Sequence, residues 1–148
     1  MSEKHKRRIL PKKIFLSHAS GDRKFADKLA KFLRQNGIAV WYSRTHLRGA
    51  QQWQREIGAA LQRCDWFVVI LSPKSVKSMW VNRELSYALI QKRFQDRIVP
   101  VLYRQCDYEK LHWTLASFQI VNLTGVFAEG CCDLIDSMVT TRFGLNSS

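Results

Sequence analysis

The sequence predicts an α/β domain built on a parallel sheet, and three observations lead there. Short runs rich in β-branched and aromatic residues alternate with segments whose apolar residues recur at helical spacing. The longest run, residues 66–71, is apolar at every position, as a strand covered on both faces must be. Polar or glycine-containing turns separate the two kinds of segment. Alternating strands and helices require crossover connections, so the strands lie parallel with helices on both faces. The expected fold is flavodoxin-like, with a five-stranded, mostly parallel sheet.

Each element has its own signal. Ile14, Phe15 and Leu16 form a short buried strand that runs into the polar turn Ser17-His18-Ala19-Ser20-Gly21-Asp22. Asp22 is placed to cap a helix in which Phe25, Leu29, Phe32 and Leu33 share a face, and Asn36-Gly37 supplies a left-handed stop. Residues 38–42 are the second strand, followed by a polar, basic loop over 43–51. Trp53, Ile57, Ala60 and Leu61 mark the second helix, and residues 66–71 the central strand. Ser72-Pro73 ends that strand, and a short loop leads to a helix expected to run to about Arg93. Residues 98–102 are a fourth strand whose ladder Pro100 weakens on one side, and 119–123 a fifth, at an edge. Residues 103–117 show no clean period and are read as loop or short helix. Leu134, Ile135, Met138 and Val139 predict a C-terminal helix ending near Phe143-Gly144.

At 148 residues and 46% hydrophobic, the chain is long enough to bury one core. It divides into a basic flexible leader over 1–12 and a single domain over 13–148. No apolar run reaches the roughly 18 residues of a membrane helix and no signal-peptide core follows the basic start, so the expected location is the cytoplasm. Cys64, Cys106, Cys131 and Cys132 lack metal-ligand spacing and are read as reduced thiols, with no metal site. A formal charge of +12 favours anionic partners. Nucleic acid is the weakest fit, because basic and aromatic residues do not interleave as on a stacking platform.

The stretch best suited to chemistry is residues 78–85. Trp80 and Glu84, four apart, are vertical neighbours on a helix, which sets an aromatic surface beside a carboxylate. A partly desolvated carboxylate there could stabilise a cationic, sugar-like transition state. The alternative is a packed tryptophan and a solvated glutamate. In parallel sheets ligands gather at the carboxyl ends of strands near a topological switch point, where the turns 17–22, 43–51 and 72–80 converge. Ser17-His18-Ala19-Ser20-Gly21 is neither a dinucleotide-binding nor a P-loop glycine pattern. Ser72 lacks the glycines of a nucleophile elbow, although His18 and Asp65 could complete a triad on paper. A receiver domain would need acids where Ser17 and His18 stand.

Taken together, four motifs in order resemble a TIR (Toll/interleukin-1 receptor) domain of the bacterial stand-alone or effector kind. They are Lys-Ile-Phe-Leu-Ser-His-Ala-Ser-Gly-Asp at 13–22, Gly-Ile-Ala-Val-Trp-Tyr at 37–42, Leu47-Arg48-Gly49 with the following helix, and Val68 to Pro73 followed by Ser78-Met79-Trp80 and Glu84-Leu85. The resemblance runs from Lys13 to about Leu123. It implies an NAD+ glycohydrolase or ADP-ribosyl cyclase of bacterial defence signalling, releasing nicotinamide and ADP-ribose or a cyclic isomer. NAD+ would be the substrate, with no cofactor. The resemblance makes Glu84 the catalytic residue and Trp80, His18, Ala19, Ser20, Arg48 and Gly49 the substrate-binding set, with Arg48 or Arg44 near the pyrophosphate. It also implies homo-oligomeric contact with other TIR domains through the 43–51 loop. Ser43 departs from the acidic residue that many members carry after the second strand. A non-enzymatic TIR–TIR adaptor is the alternative, since many members only recruit one another.

Overall fold

A computed structural model describes residues 6–42 and 50–143. Strands β1 (Lys6–Ile9) and β2 (Lys13–Ser17) open the chain, followed by helix α1 (Arg23–Gln35), β3 (Ala39–Trp41) and α2 (Ala50–Arg63). Then come β4 (Trp66–Leu71), the short α3 (Pro73–Val76), α4 (Met79–Leu89), β5 (Ile98–Leu102), β6 (Val121–Asn122), α5 (Phe127–Met138) and β7 (Thr140–Phe143).

Five strands form one sheet in the order β3-β2-β4-β5-β6, with every pairing parallel. This is the arrangement expected from strand–helix alternation. β4 is central and buried at all positions. Its residues alternate between two cores. Val68 and Ile70 pack with Leu29, Leu33 and Leu134 under α1 and α5. Phe67, Val69 and Leu71 pack with Phe15, Ile57, Leu61 and Leu85 under α2 and α4. The period-2 geometry of a strand thus divides one apolar run between two helical layers. Pro100 lies opposite Val69 on β4, and the β5–β6 ladder begins only at Val101, so the missing amide is accommodated beside the short edge strand.

Local signals explain most boundaries. Gly37 has φ +83°, the left-handed backbone that ends α1. Ser72 accepts from the Ser75 amide and the Ser75 hydroxyl from the Ser72 amide, a capping box with Pro73 in the first turn. That box makes α3 helical where a loop is expected from the sequence. α4 ends at Leu89, and Lys92–Phe94 is a separate 3₁₀ turn, so the helix is shorter than its pattern suggests. Two 3₁₀ turns, Tyr108–Lys110 and Trp113–Ser117, occupy the unperiodic segment. The 43–51 loop expected from the sequence ends early, because helix α2 already begins at Ala50.

The C-terminal helix stops at Met138, and Thr140–Phe143 is extended instead. The β-branched Val139-Thr140-Thr141 run favours strand over helix. β7 pairs antiparallel with β1, Lys6 opposite Phe143 and Ile9 opposite Thr140, so part of the basic leader forms one strand of a separate two-stranded ribbon. Among the described residues no helix is long and apolar enough to cross a membrane.

Candidate active site

The centre of the site is an acid in an apolar setting. The inward stripe of α4 is Val81, Glu84, Leu85 and Ala88, so a carboxylate holds a position that helical spacing would give to a hydrophobic residue. Glu84 is only 6% exposed. Its Oε1 accepts a 2.7 Å hydrogen bond from Ser17 Oγ, at the carboxyl end of β2. Ser17 shares the α4-facing side of β2 with Phe15, two residues before it, and is fully buried. Among the described residues this hydroxyl is the sole hydrogen-bond partner of the carboxyl group. Burial pushes the Glu84 carboxyl up to about 7, while the Ser17 hydrogen bond pulls the other way. Near neutrality the group therefore exchanges between acid and carboxylate.

Trp80 lies one turn before it on α4, half-buried against the same core, with the Arg83 guanidinium 5.6 Å from its ring centre. The Ser78 hydroxyl caps α4 by accepting from the Val81 amide, and the Asn82 side chain donates to the Leu111 carbonyl at 2.8 Å. These contacts fix the first turn of the helix that carries both residues.

The turn after β2 contributes His18, Ala19 and Ser20. His18 is half-buried, with its ring edge-on to Tyr42 at 5.3 Å. Burial, then the nearby Arg23 charge, lowers the imidazole pKa, which keeps the ring neutral at pH 7. Ala19 is 4% exposed and its methyl belongs to the core beneath α2 and α4. Ser20 is exposed and begins a 3₁₀ turn, Ser20–Asp22. It lines a cavity of about 770 Å³ with Asp22, Arg23, Ser72, Lys74 and Arg104, at the carboxyl ends of β2, β4 and β5. Asp22 occupies the N-cap position of α1 but makes no side-chain cap bond. Its carboxylate accepts instead from Ser72 Oγ at 2.5 Å. Arg44, Arg48 and Gly49 lie outside the described residues.

The fold thus brings Glu84 to Ser17, the residue before His18, while the cavity at the strand ends is lined by Ser20 and not by Glu84, Trp80 or His18. Sequence reasoning missed Ser17 as a partner of Glu84. The available signal was its position two residues beyond Phe15 on a strand whose inward face is otherwise apolar.

Among the described residues no group of three or more His, Cys, Asp or Glu side chains could hold a metal ion. The four cysteines are free thiols, and burial raises Cys64 to about 11 and Cys131 to about 12.

The fold is shared with the TIR domain of the Toll-related receptor TRR-2 from Hydra magnipapillata, at a TM-score of 0.64 and 19% identity, over 83% of this chain and 97% of that one. The TIR domains of the activated Roq1 resistosome give 0.64 at 18% identity, over 84% and 97%. In sequence, the chain is 37% identical over 103 residues to the 2' cyclic ADP-D-ribose synthase BtTIR of Bacteroides thetaiotaomicron, covering 68% of this chain and 36% of the relative. It is 32% identical over 96 residues to the NAD(+) hydrolase PdTIR of Paracoccus denitrificans, covering 64% and 32%. The chain spans about a third of the length of these curated relatives. A family model described as TIR domain matches residues 14–135, and the chain belongs to the TIR domain family.

Proposed function

We propose that this domain cleaves the nicotinamide–ribose bond of NAD+, yielding nicotinamide and ADP-ribose or a cyclic isomer, with Glu84 as the catalytic residue. The observation that carries the reading is the Glu84 carboxyl group, buried at the strand ends and held by Ser17 alone among the described residues. Relatives named as an NAD(+) hydrolase and as 2' cyclic ADP-D-ribose synthases support the substrate.

The chemistry follows from the charge. As nicotinamide leaves, the ribose becomes oxocarbenium-like, and a carboxylate beside it in a water-poor setting stabilises that cation. Nicotinamide departs as a neutral base, so no proton donor is needed at the leaving group. Trp80 supplies a flat surface one turn away. His18 and Ser20, at the end of β2, are proposed to border the dinucleotide together with the Ala19 backbone, and Arg48 and Gly49 to close it from the following loop. Contact between copies through the 43–51 loop would complete the site, and the reaction would serve bacterial defence signalling in the cytoplasm.

The test is incubation of concentrated protein with NAD+, following nicotinamide release and identifying the second product by chromatography. Glu84→Ala is expected to lower the rate on the order of 100- to 1,000-fold. Equal release by wild type and variant rejects Glu84 as the catalytic residue. Silence of an assembled wild type rejects cleavage altogether, and the adaptor role then stands.

A further inference from the structure

We infer that Ser17 is a positioning residue that sets both the orientation and the charge of Glu84; its catalytic consequence rests on the NAD+ reading, while its effect on the carboxyl group does not.

The geometry is specific. The two residues are 67 positions apart and come from a central strand and a covering helix, yet both are nine-tenths or more buried and lie 2.7 Å apart. A serine hydroxyl has one proton to give, and the Ser17 proton goes to Oε1. That leaves Oε2 with no partner among the described residues. A buried carboxylate oxygen without a donor is costly, so this atom is the one a substrate hydroxyl would satisfy. Ser17 thus divides the carboxyl group between one oxygen tied to the sheet and one left for a ligand.

The hydroxyl also favours the charged form, because a donor stabilises a carboxylate more than a carboxylic acid. No charged group contributes to the Glu84 shift: neither Arg83 on α4, which lies over Trp80, nor His18, the residue after β2. The α2 and α4 core around the carboxyl group is apolar. Ser17 is therefore the group through which the sheet tunes this acid.

The experiment compares wild type with Ser17→Ala, Ser17→Cys and Ser17→Thr. Alanine removes the donor, cysteine keeps the size with a weaker donor, and threonine keeps the hydroxyl. In NAD+ cleavage across pH 5.5–9.5, Ser17→Ala is expected to move the acidic limb upward by about one pH unit, with the rate falling about fivefold at pH 7 and about tenfold well below it. Cysteine should fall between, and threonine should restore the wild-type limb. A merely structural role would lower the rate by the same factor at every pH, and that outcome overturns the proposal.

Denaturation of the same variants from pH 5.5 to 8.5 reads the carboxyl group without substrate. The destabilisation by Ser17→Ala should grow with pH when Glu84 is present and be pH-independent in the Glu84→Gln background. A constant difference in both backgrounds also overturns it. If wild type fails to cleave NAD+, the catalytic reading falls by itself and the denaturation arm still decides whether Ser17 controls Glu84.

Discussion

Asp22 and Ser72, 50 residues apart, share a 2.5 Å hydrogen bond that ties the turn after β2 to the end of β4. Both are buried, and Ser72 at the same time caps α3. One serine thus links the two turns that flank the central crevice, which makes the pair a brace for the loop bearing His18 and Ser20. Ser72→Ala leaves a buried carboxylate without this donor and removes a helix cap. The expected cost is about 2–3 kcal/mol in urea denaturation.

Glu84→Gln should stabilise the domain at neutral and alkaline pH. The folded-state value of about 7 lies above the ordinary 4.5. The native state therefore binds more protons than the unfolded chain between these values, and stability falls as pH rises through that window, then levels off. The difference corresponds to about 3 kcal/mol as an upper figure. Denaturation curves at pH 5 and pH 8 should show a wild-type decline that is absent from the glutamine variant. The same substitution should abolish cleavage of NAD+, so stability and activity move in opposite directions.

The pH dependence of kcat/KM should show an acidic limb. Only the carboxylate stabilises a cationic ribose, and burial holds the free enzyme's Glu84 near 7. Activity should fall about tenfold for each pH unit well below that value and reach a plateau above it. A rate independent of pH from 5.5 to 8 would contradict this assignment.

Gly130→Ala should weaken the packing of α5 on the sheet. A Cβ there would stand 2.4 Å from Leu123 Cδ2 and 2.9 Å from the Asn122 carbonyl oxygen. The leucine could shift, but the β6 backbone has less room to give way. A loss of about 1–3 kcal/mol is expected from thermal unfolding, with NAD+ cleavage unchanged at temperatures where the variant stays folded.

Arg93→Ala should loosen the end of α2. The Arg93 guanidinium donates to the carbonyls of Leu61 and Gln62 in the last turn of α2, where Leu61 also accepts from the Cys64 amide, and to the Cys64 carbonyl just past it. About 1–2 kcal/mol should be lost, with faster amide exchange in the last turn of α2.

The sheet and its order of elements were legible because strand and helix periods differ sharply, and because the central run is apolar throughout. Trp80 and Glu84 were legible as helical neighbours. Helix ends were less so. α3 depends on a Ser72-Pro73-Lys74-Ser75 capping box that resembles a turn, and the last helix yields to a strand whose pairing partner is more than 130 residues away. The Ser17–Glu84 bond could not be read, since nothing local to either residue specifies a contact between a strand end and a distant helix. The depth at which Glu84 lies follows from its place in the Val81, Leu85, Ala88 stripe, a pattern visible in the sequence once position 84 is treated as inward-facing.

Both borders of the five-stranded sheet are short, three residues at β3 and two at β6. Such stubs offer too few unpaired amides and carbonyls to template a strand from another molecule. Concentrated preparations should therefore not form fibres extended strand by strand through this sheet.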